Sequence, residues 1–178
     1  MEYLTDREWK EFIGVVDSPR DRAMLTVAYW RGLRASELGL LILADLDMKA
    51  CRLRVRRLKG SLGGEYHLSP DEVKALKSWL KVRGFESGPL FPSREGQSGI
   101  KRGMVHVLVQ KYGKLAGLPV EKCHPHILKH SIATRLLDKG VAITAVQDWL
   151  GHRNIQNTMV YAAVTNAQRT EAERLAYA

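Results

Sequence analysis

The sequence predicts a mainly α protein with a small antiparallel β-sheet, an α+β fold. Most of its 178 residues lie in segments whose apolar residues recur at helical spacing, several of them behind N-capping residues. A single stretch, residues 52–68, instead alternates Leu or Val with Arg and is then interrupted by glycines, as is typical of a β-hairpin. With 45% hydrophobic and 26% charged residues, the chain can bury the core of one domain.

Three helices are predicted before the hairpin. Thr5 and Glu8 form a capping box ahead of an apolar-periodic run, which predicts a first helix over residues 5–16. The segment SPRDRAMLTVAYWRG predicts a second, largely buried helix that ends near Gly32. The segment ASELGLL predicts a short third helix.

The second half of the chain is predicted to be helical. Ser69, Pro70 and Glu72 occupy the N-cap, N1 and N3 positions of a helix that follows the hairpin. The segment ESGPLFPSREGQSG predicts a loop. Further helices are predicted near residues 101–116, 126–138, 143–150 and 154–162, with a tail helix after Asn166.

Charge and cysteine content narrow the functional classes. The formal net charge of +9 favours a polyanionic partner, most simply nucleic acid, although a basic protein without such a partner is equally compatible with charge alone. Cys51 and Cys123 are the two cysteines, which argues against a disulfide scaffold and fits a reducing cytoplasm. No apolar run approaches the roughly 20 residues that span a bilayer, so no membrane partner is expected.

Two basic residues near the middle of the chain have both a structural and a functional interpretation. Arg34 precedes Glu37 by three residues in RGLRASELGLL, so the pair can form a helix ion pair or hold the Arg for a phosphate. Lys59 is the only Lys of the predicted hairpin and lies at its turn. It is either a solvated turn residue or a cation carried into a cleft.

The segment CHPHILKH concentrates imidazoles at a predicted helix start. Cys123, His124, His126 and His130 match no common zinc spacing, so a metal site is not predicted. His130 is interpreted as a buried, hydrogen-bonded residue. His126 and Lys129 share a helix face, and an imidazole beside a cation at a helix N-terminus suits phosphate chemistry.

The segment LGHRNIQNTMVY contains His152 and, nine residues later, Tyr161. A lone Tyr usually packs or makes a surface hydrogen bond. It becomes a nucleophile only where cations and a base lower the cost of forming phenolate, because its free pKa is about 10.

In this order, GLRASEL, HPHILKHSIATRLLDKG and LGHRNIQNTMVY resemble the three boxes of the tyrosine recombinases, or phage-type integrases. The resemblance is greatest to the short recombinases that invert fimbrial promoter elements. It implies the integrase-like catalytic fold over residues 1–178, with no N-terminal core-binding domain in this chain. The chain is then either a compact enzyme or the catalytic fragment of a longer integrase.

The resemblance also implies roles for individual residues. Tyr161 would attack the scissile phosphate and form a 3′-phosphotyrosyl link, and Arg34 would bind the non-bridging oxygens. Lys59 would protonate the leaving 5′-hydroxyl, and His126 would assist as base. His152 would hydrogen-bond the phosphate.

Two further residues, Glu37 and His130, would support the groups that touch DNA. Lys129 departs from the family pattern, which has a second arginine there. Lys keeps the charge but loses the planar fork that grips two phosphate oxygens. We therefore expect a slow enzyme, or one that depends on a partner or on another basic residue.

The implied partner is double-stranded DNA that carries specific recombination sites, acted on by a homotetramer that can be a monomer away from DNA. The resemblance implies no metal or nucleotide cofactor, and a cytoplasmic, nucleoid-associated protein of a bacterium or phage. Arg56, Arg57, Lys101 and Arg102 are candidate contacts to the DNA backbone. Two alternatives stay open: a catalytically degenerate DNA-binding regulator of recombination, and a type IB topoisomerase-like activity.

Overall fold

The computed structural model describes residues 2–58, 61–94, 96, 98–162, 174, 176 and 177. Its α-helices are α1 (Asp6–Gly14), α2 (Pro19–Arg31), α3 (Ala35–Leu38), α4 (Pro70–Arg83), α5 (Arg102–Leu115), α6 (His126–Asp138), α7 (Ile143–Trp149) and α8 (Gln156–Ala162). Its strands are β1 (Leu46–Asp47), β2 (Arg52–Val55) and β3 (Gly64–His67). The predicted fold class, mainly helical with a small antiparallel sheet, is confirmed.

Capping boxes determine where two of the helices begin. The Thr5 hydroxyl accepts a hydrogen bond from the Glu8 backbone N–H, and the Glu8 carboxylate accepts one from the Thr5 N–H. Ser69 and Glu72 make the same reciprocal pair ahead of α4. Each box satisfies backbone donors that the first helical turn leaves unpaired, so α1 and α4 begin as the sequence predicts.

Helix α2 runs through the centre of the core and packs against α4 and α6. The ring of Trp9 on α1 stacks on Tyr29 of α2, with ring centroids 3.9 Å apart. At the end of α2, the buried Arg31 guanidinium donates to the Glu72 carboxylate at 2.9 Å and lies over the ring of Trp149, 4.8 Å from its centroid. These contacts hold the C-terminal end of α2 against α4 and α7.

The sheet has the order β1-β2-β3, and both pairings are antiparallel. The hairpin predicted from alternation is β2–β3, with Leu53 opposite Tyr66, and the apolar residues of β2 are buried while its arginines are exposed. Strand β1 was not predicted, because two residues are too short to show alternation. The connection after β2 packs on the turn after α7, where the Leu62 N–H donates to the Gly151 carbonyl at 3.0 Å.

Most predicted helices are confirmed, with ends that differ by one or two residues. Helix α8 begins later than predicted because the Asn154 side chain accepts the Gln156 N–H at 2.9 Å and forms a turn first. Most of the predicted tail helix after Asn166 lies outside the described residues. Within the part of the chain that the structure describes, no helix is long and apolar enough to cross a membrane.

Candidate active site

Residues predicted as a site converge from separate segments of the chain. Arg34 immediately precedes α3, Lys129 and His130 lie on α6, His152 lies in the turn after α7, and Tyr161 lies on α8. The connection between β2 and β3 packs against the same turn after α7. The fold therefore gathers basic, imidazole and phenol groups that are more than 120 residues apart in sequence.

Arg34 is oriented by a buried carboxylate and by the hairpin connection. Its Nη1 donates to Glu37 Oε1 at 3.1 Å and to the Ser61 hydroxyl at 2.6 Å. The other Glu37 oxygen accepts the Arg34 backbone N–H at 2.8 Å. Glu37 is fully buried, whereas 33% of the Arg34 side chain is exposed, so a ligand can reach the guanidinium while its position is held. Ser61 was not anticipated, since a Ser in a Gly-rich turn carries no distinctive pattern.

The position of Arg57 differs from the exposed one that its predicted contact with the DNA backbone requires. Its side chain is completely buried, and its Nη1 donates to Glu37 Oε2 at 3.2 Å. Its Nη2 donates to the carbonyls of Arg31 at 2.8 Å and Trp149 at 3.0 Å. Because these acceptors enclose the guanidinium and leave none of the side chain exposed, Arg57 is not placed to reach a DNA backbone. It instead joins the ends of α2 and α7 to the carboxylate that holds Arg34.

Lys129 is 4% exposed, and its Nζ donates to the carbonyl of Leu150 at 3.1 Å, just beyond the end of α7. Burial and the nearby Arg34 and Arg57 lower its pKa to about 7, against the opposing influence of Glu37. A cation near the carbonyl end of a helix is favourable, so the position stabilises α7. The ammonium is thus partly committed to the protein itself.

His152 is buried in the turn that joins α7 to α8. Its Nδ1 lies 3.0 Å from the Thr158 hydroxyl on α8. Burial, with Lys129 and Arg34 nearby, lowers the His152 pKa to about 4, so the ring is neutral near pH 7. The preceding Gly151 has φ +66°, and a Cβ there would lie 2.4 Å from the Leu62 carbonyl oxygen. Only glycine fits this close crossing of two segments.

Tyr161 is 3% exposed and its hydroxyl oxygen lies 3.0 Å from Nδ1 of His130. Burial raises the Tyr161 pKa to about 12, with Arg34 opposing the shift. Burial and the neighbouring His126 lower the His130 pKa to about 4. His126 itself is exposed on the first turn of α6, with its ring centroid 6.2 Å from that of His130. The sequence does not predict the contact between His130 and Tyr161, because a contact between two separate helices produces no recognisable spacing of residues along the chain.

The charges of the cluster do not cancel. The cluster contains three cationic side chains, those of Arg34, Arg57 and Lys129. The first two form ion pairs with the Glu37 carboxylate. An excess of positive charge in a mostly desolvated site favours an anion, and a phosphodiester supplies one negative charge with several acceptor oxygens. The neutral His152 is available as a further hydrogen-bond group.

The other predicted contacts remain predictions. Arg56 is about half exposed and its Nη2 lies 2.9 Å from an Asp45 carboxylate oxygen. Lys101 and Arg102 are exposed at the start of α5. Lys59 lies outside the described residues. Among the residues described, no three His, Cys, Asp or Glu side chains are grouped to hold a metal ion.

An open cleft of about 480 Å³ adjoins the cluster between α5 and α6. It is lined by Arg102, His106, His124 and His126, among others. Burial and the neighbouring His124 and Arg102 lower the pKa of His126. The cleft therefore presents the Arg102 guanidinium and imidazole hydrogen-bonding groups to a polyanion that approaches beside Ala35, the neighbour of Arg34.

Comparisons with known proteins identify similar recombinases and fimbrial regulatory proteins. Tyrosine recombinase XerA of Pyrococcus horikoshii is 37% identical over 171 residues, which cover 95% of this chain and 59% of the relative. The type 1 fimbriae regulatory protein FimB of Escherichia coli K12 is 37% identical over 154 residues, which cover 84% of this chain and 76% of the relative.

Solved structures show the same fold. A crystal structure of XerA recombinase has a TM-score of 0.85 at 28% identity, covering 98% of this chain and 65% of that one. The integrase of the transposon Tn1549, in complex with transposon right end DNA, has a TM-score of 0.78 at 24% identity, covering 98% of this chain and 66% of that one. The chain thus spans about three fifths of the length of the XerA relative.

The family profile matches nearly the whole chain. It is described as the phage integrase family and matches residues 2–168, which include each of the three boxes. The same residues supply Arg34, Lys129, His152 and Tyr161 to the cluster. On this match and on its similarity to tyrosine recombinases, the chain belongs to the phage integrase family.

Proposed function

We propose that this protein is a site-specific DNA recombinase that cleaves and rejoins DNA through a 3′-phosphotyrosyl intermediate formed by Tyr161. The observation that carries the proposal is a buried phenol whose oxygen lies 3.0 Å from His130, the residue that follows Lys129 on α6. A phenol with a pKa of about 12 is unreactive by itself in the free protein. A nearby surplus of cations stabilises the charge that develops when it attacks a phosphodiester.

The proposed roles follow the accessibility of each group. Arg34 presents an exposed part of its guanidinium and binds the non-bridging phosphate oxygens, while Glu37 holds it in place. His152 hydrogen-bonds the phosphate as a neutral imidazole. Lys59 protonates the leaving 5′-oxygen, a role that rests on the sequence resemblance.

Lys129 makes the enzyme slow in this account. Its Nζ is held by the Leu150 carbonyl, and its pKa of about 7 leaves it only partly charged near neutrality. A Lys also lacks the fork that would hold two oxygens together. Loss of one transition-state donor typically reduces the rate by about 10²–10³.

The substrate we propose is double-stranded DNA with specific sites, acted on by a tetramer. The net charge of +9 and the cleft beside Arg34, which Arg102 lines, support a DNA partner. The names of the similar proteins support it as well, since one structure contains a transposon integrase with transposon right end DNA. No cofactor enters this proposal, because the phosphotyrosyl bond keeps the energy needed for rejoining.

Covalent capture tests the proposal. Purified protein is mixed, without added metal, with nicked duplexes from its own flanking DNA, and the products are separated after denaturation. We expect a protein–DNA adduct that Tyr161→Phe abolishes and that the control Tyr177→Phe, at an 85% exposed residue, retains.

Other outcomes of the same assays would favour one of the two alternative functions. DNA binding without an adduct from the native chain or from Lys129→Arg would favour the degenerate regulator. Supercoil relaxation without a specific site or a second protomer would favour a topoisomerase-like enzyme.

A further inference from the structure

The hydroxyl of Tyr161 lies next to a histidine that has no role in the mechanism proposed above. Among the described residues, its hydrogen-bond partner is His130, whose Nδ1 lies 3.0 Å from the phenolic oxygen. The two rings are 5.6 Å apart between centroids and are tilted by 51°. His130 therefore touches the atom that would attack phosphorus.

The resemblance assigns the role of base to a different residue, His126. That residue lies one turn earlier on α6, is exposed, and lines the cleft between α5 and α6. Its ring lies 6.2 Å from that of His130, on the side of the cleft rather than against the phenol. His126 is thus placed to meet a phosphate that enters the cleft, whereas His130 meets the nucleophile.

The protonation states of the pair give the hydrogen bond a direction. Burial, His126 and His124 lower the pKa of His130 to about 4, and burial raises that of Tyr161 to about 12. Near pH 7 the ring and the phenol are therefore both neutral. A neutral imidazole has one N–H and one lone pair, so the phenol donates to Nδ1 when the ring proton is on Nε2.

We propose that His130 is the catalytic base that accepts the phenolic proton of Tyr161 during strand cleavage. This inference rests on the proposed function. The Tyr161 O–H bond breaks and the proton moves to Nδ1 as the phenolic oxygen forms its bond to phosphorus. The bond from phosphorus to the 5′-oxygen breaks, and that oxygen takes a proton from the general acid. In rejoining, the 5′-hydroxyl returns its proton to the general acid and bonds to phosphorus, the bond from phosphorus to the Tyr161 oxygen breaks, and His130 returns its proton to the phenol.

Entry of DNA assists this transfer. The groups that lower the proton affinity of His130 include, besides burial, His126, His124 and Lys129. A phosphodiester beside the site would place negative charge near His130, which favours the protonated imidazole and raises the pKa of His130. The free protein keeps the proton on oxygen, and the loaded site makes its transfer easier.

The first test compares single-turnover cleavage by the native chain with cleavage by His130→Gln and His130→Asn. An amide can hydrogen-bond the phenol but cannot take up its proton, so at pH 7 cleavage should fall by about 10²–10⁴. Hydroxide then replaces the missing base, so the native-to-variant rate ratio should shrink about tenfold for each pH unit between 7 and 9. Using the ratio cancels groups common to both proteins, such as Lys129. The control His67→Gln makes the same change at an exposed residue of β3.

A second substrate separates the base from the acid. With sulfur as the 5′-bridging atom, the leaving thiolate needs no proton, so Lys59→Ala should recover cleavage on this substrate. The His130 variants should not recover, because their defect is at the nucleophile. DNA binding in a gel-shift assay and a thermal unfolding curve establish that each variant is folded.

Each remaining outcome contradicts one part of the account. Unchanged cleavage in both His130 variants, a pH-independent rate ratio, or recovery of the variants on the sulfur substrate would overturn the role of His130. Absence of an adduct from the native chain on both substrates would instead overturn the proposed function.

Discussion

Replacing Arg57 by Met tests whether this buried residue joins the parts of the site. The change removes the donor to Glu37 Oε2 and leaves the Arg31 and Trp149 carbonyls without that partner. Breaking a buried ion pair costs about 3–5 kcal/mol. The Nε of Arg57 is buried and has no partner among the described residues, which reduces what the native side chain contributes. We therefore expect a loss near the lower value, about 3 kcal/mol.

Urea denaturation measures this loss as a lower midpoint at an unchanged slope. Arg54→Met is the matched control, because Arg54 lies on the exposed face of β2, and it should change stability by less than about 0.5 kcal/mol. A loss below about 1 kcal/mol in Arg57→Met would refute the proposed function of Arg57 as a structural link. Cleavage should also fall in Arg57→Met, because Glu37 would lose one of its two cations.

Three further predictions concern the same cluster. Lys129→Arg should raise the rate of adduct formation by about 10²–10³, and an unchanged rate would mean that the lysine does not limit cleavage. Because burial lowers the pKa of Lys129 to about 7, the unfolded chain binds the extra proton between about pH 7 and its ordinary pKa near 10.4. Native stability should therefore rise with pH over this range relative to Lys129→Met, and a constant difference in denaturant midpoints would contradict the shift. Gly151→Ala should lower the free energy of unfolding by more than the roughly 1–3 kcal/mol that overpacking typically costs, since its Cβ would meet Leu62 and Arg57. Gly140→Ala is the control: Gly140 has φ +79° but open space around it, so this change measures the backbone contribution alone.

Local signals explain which parts of the fold could be predicted. Capping boxes, the N1 proline and the alternation of β2 are encoded within a few residues, so α1, α4 and the hairpin were predicted close to their observed bounds. The ordered boxes predict that Arg34, Lys129, His152 and Tyr161 belong to one site, and their roles in it stay predictions. The two-residue β1 has no such signal.

Contacts between distant segments explain the rest. Arg57 and Arg54 lie on one short stretch of β2 and its connection, yet one is completely buried and the other exposed. What distinguishes them is the approach of α7, whose Trp149 carbonyl accepts from Arg57, and sequence spacing does not encode this approach. The same reason applies to His130, whose partner Tyr161 lies 31 residues away on another helix.

Locating the covalent bond tests the proposed phosphotyrosyl intermediate without relying on reaction rates. The protein–DNA adduct is trapped, digested with protease and nuclease, and analysed by tandem mass spectrometry. A nucleotide linked through phosphate to Tyr161 would match the account, with no such adduct in Tyr161→Phe. A nucleotide on another residue, or an adduct that persists in Tyr161→Phe, would contradict it.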